Sequence, residues 1–333
     1  MDRGYIFTER ALAICRVLYE KTDLDHGLTM PELLNELAQL GVECDRKAVY
    51  KCIEVLEKCG IPVEKIGMAR NTKYFIDSRL FETAELRTIA DMVSASRYLT
   101  PEDTKKYIDK ICCLTSASRG DTIKRQIDFI RGIKTDNKGI VYSVDTITAA
   151  IDCDRSITFK MWQWFRTDSG LQKRFKYEGK TYHVSPYMLI CADEKYYLIG
   201  FDEDRAEMRT YKVNRLENVS MTDNVRTGRE AFEKRRKAYE TRYYFEMFDG
   251  EEETVTLRVE NYLLDVIVDR FGSEIKIRKF SEHSFETDVR VIVSPLFYGW
   301  LFGVGEGIEI VSPEKVFNGM KNRLETIKKK CFS

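Results

Sequence analysis

Hydrophobic residues recur at helical spacing near the start of the chain. Phe7, Ala11, Ile14 and Leu18 are three or four residues apart, which predicts a first helix with one apolar face. A second helix is predicted over 30–40. Its start, Thr29-Met30-Pro31-Glu32, resembles a capping box with proline in the first turn, and Gly41 ends it.

A third helix is predicted from Asp45, a good N-terminal cap, to Gly60, which suits the left-handed position after a helix. Val49, Ile53 and Leu56 supply its apolar stripe. Two short strands follow at 61–66 and 73–77. A β-hairpin directly after a helix-turn-helix is a wing, so 1–78 is predicted to be a winged helix-turn-helix.

The pattern changes twice along the rest of the chain. Residues 79–136 predict a helical linker whose third segment spans 121–133. Residues 137–224 predict a short helix followed by several short strands between Gly and Asp turns, as in a small β-barrel. The strands are predicted at 156–161, 171–177, 180–186, 187–192, 195–201 and 209–212. A charged linker helix is predicted over 225–252. Residues 253–333 follow the order β-α-β-β-α-β plus a terminal helix, which indicates a ferredoxin-like domain. The predicted fold class is α+β, multidomain.

Composition and charge narrow the function classes. Lys plus Arg and Asp plus Glu both number 54, so the net charge is zero and gives no support for nucleic-acid binding. Residues 1–80 carry 12 basic and 13 acidic side chains, so a DNA-binding function must rest on where the basic residues lie. The start of the chain lacks a secretion signal and no run is long enough to span a membrane, so we expect a cytoplasmic protein.

Catalytic and metal-binding motifs are missing from the sequence. The nine cysteines form no Cys-x-x-Cys pair, and the three histidines are far apart and outside any metal-ligand spacing. No Walker loop, Gly-x-Ser-x-Gly or His-Glu-x-x-His is found. We therefore expect neither an enzyme nor a metal or other cofactor.

The third helix carries the candidate DNA contacts. Arg46, Lys47, Tyr50 and Lys51 lie in its N-terminal half, which meets base edges in a helix-turn-helix. In the wing, Arg70 and Lys73 are candidates for phosphate contacts. The alternative interpretation of these side chains is an ordinary solvated helix face.

A second candidate region is rich in tyrosine and spaced arginine. Three segments, 182–190, 195–202 and 209–216, combine rings that stack with side chains that bind anions, which suits nucleotides or short single strands. The alternative is a barrel core whose tyrosines pack and whose arginines pair with Asp202, Asp204 or Glu207.

These segments resemble WYL-domain transcriptional regulators. Residues 45–56, Asp-Arg-Lys-Ala-Val-Tyr-Lys-Cys-Ile-Glu-Val-Leu, are similar to the family's recognition helix, with departures at Ala48, Lys51 and Cys52. The name-giving Trp-Tyr-Leu appears as Tyr196-Tyr197-Leu198, and 209–216 resembles Arg-x-Phe-Arg-Val-Asp-Arg-Ile. Residues 253–331 resemble the family's C-terminal extension.

The resemblance implies an Sm-like WYL barrel that senses a nucleotide or single-stranded nucleic acid. It implies that Tyr187, Tyr197, Arg209, Lys212 and Arg215 line or border the effector pocket. His183 stands where the family often has arginine, and we include it in the predicted pocket.

From these features we expect a homodimeric regulator that binds double-stranded DNA at an inverted-repeat operator. The C-terminal domain would contribute the dimer contacts, as the resemblance implies. The alternative function is an RNA- or protein-binding accessory factor of a phage-defence system of the CRISPR type.

Overall fold

The computed structural model describes residues 3–127, 134–168, 170–192, 194–240 and 251–332, without the side chains of a few of them. The chain divides into two units, Met1–Lys138 and Gly139–Ser333. Each unit has its own hydrophobic core.

The first unit begins with the predicted three helices and hairpin. The helices are α1 (Arg3–Lys21), α2 (Met30–Gln39) and α3 (Arg46–Lys58). The strands are β1 (Leu28–Thr29), β2 (Glu64–Ile66) and β3 (Lys73–Phe75), in the sheet order β1-β3-β2. The hairpin strands are shorter than predicted. The sequence did not predict β1, because two residues are too few to show an alternating pattern.

The caps are those that the sequence indicates. The backbone N–H of Thr29 donates to the Glu32 carboxylate at 2.7 Å, and the Asp45 carboxylate accepts from the backbone N–H of Ala48 at 2.7 Å. Each cap satisfies a backbone group that a helix end otherwise leaves without a partner. Ile14, Leu33 and several other side chains then meet in one core; its fully buried members also include Leu18, Leu37, Val49 and Cys52.

The predicted linker has a core of its own. Its helices are α4 (Thr83–Ala95), α5 (Pro101–Cys112) and α6 (Ala117–Gln126). They bury Leu86, Ala90, Ile108, Cys112, Ile123 and Ile127 together. The third helical segment was predicted over 121–133, but α6 starts earlier because Ser116 caps it, and residues 128–133 lie outside the described part.

A buried carboxylate joins these helices to the turn after α1. Asp23 is fully buried, accepts a hydrogen bond from the Ser116 hydroxyl, and lies 2.8 Å from the His26 ring nitrogen Nδ1. Arg119 contacts the same region, with its guanidinium 2.7 Å from Asp77 and 3.9 Å from Asp23. Burial alone would raise the pKa of Asp23, but the hydrogen bonds outweigh it and lower that pKa.

The second unit begins with a helix and a curled sheet. The helix is α7 (Ile140–Asp152), and the strands are β4 (Arg155–Thr167), β5 (Gly170–Phe175), β6 (Thr181–Ala192), β7 (Lys195–Asp202), β8 (Glu207–Lys212) and β9 (Leu216–Val225). The sheet order is β5-β4-β6-β7-β8, and β9 pairs with β4. Among the described residues no pairing joins β8 to β9, so the predicted barrel is a curled half-barrel.

Three strand predictions in this sheet need correction. The strand predicted at 156–161 continues to Thr167, and β9 was not predicted. The strands predicted at 180–186 and 187–192 are one strand, β6, with a bulge between Pro186 and Met188. A bulge accommodates a proline, which cannot donate to the ladder, so the strand continues past it.

Two helices pack on the sheet. Helix α7 packs on β4, β6 and β9, and α8 (Arg229–Glu240) packs on β7 and β8. Gly228, just before α8, has φ +82, and a Cβ at this residue would lie 2.2 Å from the Phe201 ring. Only glycine permits this backbone to pass so close to the sheet.

The remaining part of the second unit follows the predicted order of elements. It consists of β10 (Glu251–Glu260), α9 (Leu264–Phe271), β11 (Ile277–Lys279), β12 (Ser284–Val293), α10 (Pro295–Val304), β13 (Ile308–Ser312) and α11 (Glu314–Phe332). The antiparallel sheet has the order β11-β12-β10-β13, the arrangement of a ferredoxin-like sheet. Val255, Leu257, Val289 and Phe297 are among the residues of its core.

We predict that Asp23→Asn lowers the free energy of unfolding by about 1–3 kcal/mol at neutral pH, because the amide cannot replace a buried carboxylate acceptor. The loss should shrink as the pH falls below about 4. In that range the unfolded carboxyl is protonated, and the stabilisation from a lowered folded-state pKa disappears as the pH reaches that pKa.

The measurement is chemical denaturation as a function of pH, with Asp25→Asn as the matched control. Asp25 is exposed and only two residues away. Equal stability of the Asp23 variant and the wild-type protein at pH 7 would contradict this account.

Candidate nucleic-acid interface and effector site

Helix α3 divides its residues cleanly between core and solvent. Val49, Cys52, Ile53 and Leu56 are buried. Arg46, Lys47, Tyr50 and Lys51 are exposed, as the helical pattern predicts. The turn before the helix is held by the Arg10 guanidinium, whose Nε donates to the carbonyl oxygen of Glu43 at 2.8 Å.

The three cationic side chains of this face have no partner in the described part of the chain. Arg46, Lys47 and Lys51 make no ion pair or side-chain hydrogen bond there. An unpaired arginine can donate two parallel hydrogen bonds to guanine, and lysine can neutralise a phosphate. Exposed Glu54 follows on the same helix, so the positive charge is concentrated in the N-terminal half.

Tyr50 is held more firmly than its neighbours. Its ring centroid lies 6.4 Å from that of Tyr74 on β3, with the two planes at 60°. Burial, followed by the hydrogen bond with Tyr50, raises the pKa of Tyr74 to about 12. The contact joins the exposed face of α3 to the hairpin.

The hairpin places one of its two predicted contacts in solvent. Lys73 is exposed at the start of β3, whereas the Arg70 side chain lies outside the described part. The sequence interpretation missed Lys65, whose Nζ is 5.9 Å from the Tyr74 ring centroid and 3.8 Å from a carboxylate oxygen of Glu57. Exposed lysines in the hairpin can contact a phosphate backbone.

In the second unit, two of the predicted effector residues are covered by α8. Tyr187 stacks on Phe232 with ring centroids 4.7 Å apart, and its hydroxyl donates to the carbonyl oxygen of Thr227 at 2.7 Å. Burial raises the pKa of Tyr187. Tyr197 is almost fully buried in the same cluster as Phe232. Lys212 lies opposite Tyr197 in the strand register, with its Nζ 6.0 Å from that ring.

The other three predicted effector residues lie elsewhere. Arg209 pairs with Gly200 in the register and therefore faces away from Tyr197, with its Nε 3.3 Å from Glu207. His183 is exposed, with its Nδ1 3.6 Å from Asp204. Arg215 stacks over Trp162 at 4.3 Å from the ring centroid. The structure therefore brings Tyr187, Tyr197 and Lys212 to one sheet face and separates the remaining three.

The opposite face of the sheet contains a buried polar pair. The Tyr211 hydroxyl donates to the carboxylate of Asp202 at 2.8 Å, and both residues are buried. Burial, followed by this hydrogen bond, raises the pKa of Tyr211 far above its usual range. The rings of Phe159 and Tyr182 pack on Tyr211. The sequence left open whether Asp202 pairs with an arginine. In the structure its carboxylate accepts the hydrogen bond from Tyr211.

Sequence reasoning also missed an exposed group of aromatic residues. Trp164, Phe165 and Phe175 lie on the hairpin of β4 and β5, beyond the curled sheet. The sequence feature that could have indicated this group is the run Trp162-Gln163-Trp164-Phe165-Arg166. It contains more large rings than a strand end in solvent usually has.

In the described ranges, no three His, Cys, Asp or Glu side chains are grouped so that they could hold a metal ion. None of the described helices has the length and apolar character needed to cross a membrane.

Comparison with known proteins identifies the curled sheet. Residues 143–221 match the family model of the WYL domain, and no curated protein matches the chain. Among solved structures, proteasome accessory factor B/C (PafBC) of Arthrobacter aurescens is 15% identical with a TM-score of 0.27, covering 96% of this chain and 46% of that one. The chain thus spans less than half of that protein. Residues 143–221 form a WYL domain, and the chain is a protein that contains one.

Proposed function

We propose that the chain is a DNA-binding transcriptional regulator whose WYL domain responds to an effector. The observation that carries the proposal is the exposed, unpaired set of Arg46, Lys47 and Lys51 on α3, a helix whose opposite face is buried. A helix-turn-helix uses this half of its second helix to contact base edges in the major groove.

Each part of the chain has a role in this proposal. Residues 1–78 act as a winged helix-turn-helix that binds duplex DNA, with Lys73 and Arg70 on its phosphates. Residues 79–136 connect it to the WYL domain at 137–224. In the linker at 225–252, the described helix is α8 (Arg229–Glu240), and 241–250 lie outside the described residues. Residues 253–333 then form the ferredoxin-like extension. The protein acts in the cytoplasm and without catalysis.

The proposed effector is a nucleotide or a single-stranded nucleic acid. The support is the set of cationic side chains of the WYL domain, since guanidinium and ammonium groups bind phosphate. Arg209 and Lys212 lie on β8, and Arg215 lies in the turn that follows it. His183 adds a further exposed ring, on β6 between β4 and β7. Tyr187 and Tyr197 would act by holding the sheet against α8, because their own rings are covered.

The first test is selection of binding sites from random duplex DNA at a stated salt concentration. We expect an inverted repeat with half-sites about 10 bp apart, or a multiple of that. Enrichment of RNA or of a protein partner without any duplex motif would instead support an accessory factor.

On the selected site, Arg46→Ala with Lys47→Ala should weaken specific binding by about 1–3 kcal/mol for each lost base contact. Lys58→Ala is the matched control, since Lys58 is exposed in the last turn of the same helix, about 16 Å further along its axis. The measurement is fluorescence anisotropy with the selected duplex and with a scrambled duplex. If both variants bind like the wild-type protein, α3 is not the recognition helix.

The homodimer in this proposal rests on α11. Phe317, Leu324 and Ile327 are all roughly half exposed, and their spacing of seven and three puts them on one helix face. This stripe borders a groove of about 660 Å³ between α10 and α11, lined by Tyr298 and Phe302 among others. Exposed apolar surface of this kind is typical of protein interfaces.

We expect Leu324→Glu with Ile327→Glu to convert a dimer to a monomer, because two carboxylates would be buried against the partner copy. The measurement is sedimentation velocity at micromolar concentration. The control is Asn318→Glu with Lys329→Glu, two exposed residues on a different face of the same helix. A wild-type monomer, or a variant that remains dimeric, would exclude this interface.

A further inference from the structure

Strand β4 leaves the curled sheet halfway along its length. Residues 155–161 pair with β9, and 157–160 also pair with β6 on the other edge. From Trp162 to Thr167 the strand pairs only with β5, in the register Trp162↔Phe175 to Thr167↔Gly170. In the described part of the chain, these two segments, 162–167 and 170–175, form a two-stranded projection, here called the ribbon.

The ribbon exposes large aromatic rings. Trp164 is 45% exposed, Phe165 38% and Phe175 41%, and the two side chains Trp164 and Phe165 point to opposite faces because they are adjacent on one strand. A two-stranded hairpin with apolar rings on both faces gains nothing from leaving them in water. Their exposure therefore requires an explanation other than folding.

Each exposed ring has a cation beside it. Lys173 lies opposite Trp164, with its Nζ 5.5 Å from that ring and 4.4 Å from the ring of Trp162. On the other face the Arg174 guanidinium is 5.4 Å from the Phe165 ring. The ribbon thus alternates flat apolar surfaces with positive charge.

The surrounding charge has the same sign. Positions 160–180 contain six Lys or Arg and two acidic residues, whereas the whole chain has equal numbers of both. One of the six, Lys180, forms an ion pair with Asp204 at 2.8 Å. The local excess of positive charge attracts a polyanion, and the rings select what kind of polyanion it is.

Unpaired bases are the ligand that fits both features. An exposed ring can stack on a free base, and stacking is indifferent to sequence because every base has a π-face. In duplex DNA both faces of each base are covered by neighbouring bases, so the rings would have nothing to stack on. An acidic peptide would use the cations but not the rings.

We propose that the ribbon is a binding surface for single-stranded nucleic acid, with Trp164 and Phe165 stacking on bases and Lys173 and Arg174 contacting phosphates. The inference deepens the proposed function, since it rests on a nucleic-acid effector of the WYL domain. In this proposal the bases do not stack on Tyr187 or Tyr197, because other residues of the chain cover those two rings.

The test uses fluorescein-labelled oligothymidine and oligouridine of about 15 nucleotides, within the usual site sizes of single-strand binders. In anisotropy measurements on the full chain, Trp164→Ala with Phe165→Ala should weaken binding by about tenfold or more. Trp164→Phe should bind nearly as well as the wild-type protein, since it keeps a ring. Tyr142→Ala, which removes an exposed ring from α7, is the matched control and should change nothing.

Two further readouts separate stacking from charge. Two of the three tryptophans lie in the ribbon, so stacked bases should quench the intrinsic fluorescence of the wild-type protein and much less that of Trp164→Phe. Lys173→Gln with Arg174→Gln should flatten the slope of log affinity against log salt by about 1.4, the value for two lost phosphate contacts on a single strand.

Several outcomes would overturn the inference. One is a wild-type protein that binds neither oligonucleotide, and another is an alanine double variant that binds both normally. Loss of binding in Arg209→Ala with Lys212→Ala, but not in the ribbon variants, would place the single strand elsewhere. An unlabelled duplex that competes equally well would exclude selection of unpaired bases.

Duplex binding and oligothymidine binding test the proposed function and the ribbon separately. Arg46→Ala with Lys47→Ala should reduce duplex binding and leave oligothymidine binding unchanged. If no duplex motif is found but the ribbon variants lose oligothymidine binding, the ribbon is a single-strand binding surface and the proposed DNA-binding regulator is rejected.

Discussion

Strand β4 is the element on which the curled sheet depends, because β5, β6 and β9 all pair with it. Its first half lies between β6 and β9, and its second half pairs with β5 alone. The same strand therefore places Phe159 in the core and Trp164 in solvent. Strand pairing decides this difference. Phe165 lies on the same side of the strand as Phe159 by alternation and is still exposed, so the alternating pattern alone does not distinguish the two halves.

The coverage of the curled sheet determines which aromatic residues are available to a ligand. Helix α8 places Phe232 on Tyr187, and α7 packs on β4, β6 and β9. Rings used in this way stabilise the sheet through burial, which removes them from contact with other molecules. Trp164, Phe165 and Phe175 remain exposed, and they lie on the ribbon. In this WYL domain the tyrosine-rich strands are therefore covered, and the exposed aromatic residues of the ribbon lie on a separate part of the surface.

The first unit likewise divides one helix between core packing and an exposed cationic face. On α3, Val49 and Ile53 pack inward, while Arg46 and Lys47 need no partner within the described chain. The buried carboxylate of Asp23 then links the turn after α1 to Ser116 at the start of α6. This hydrogen bond gives the helical segment a fixed attachment to the helices that would contact DNA.

The sequence by itself determined the elements whose signals are local. The caps at Thr29 and Asp45 and the β-α-β-β-α-β order after residue 250 were all readable, because helical periodicity and capping depend on residues within a few turns of each other. Only the tertiary structure decided that Pro186 lies inside a continuous strand, that 216–225 is a strand, that Phe232 covers Tyr187, and that Arg215 stacks on Trp162. These contacts join segments tens of residues apart, and the pairing of one distant segment with another leaves no periodic mark in either.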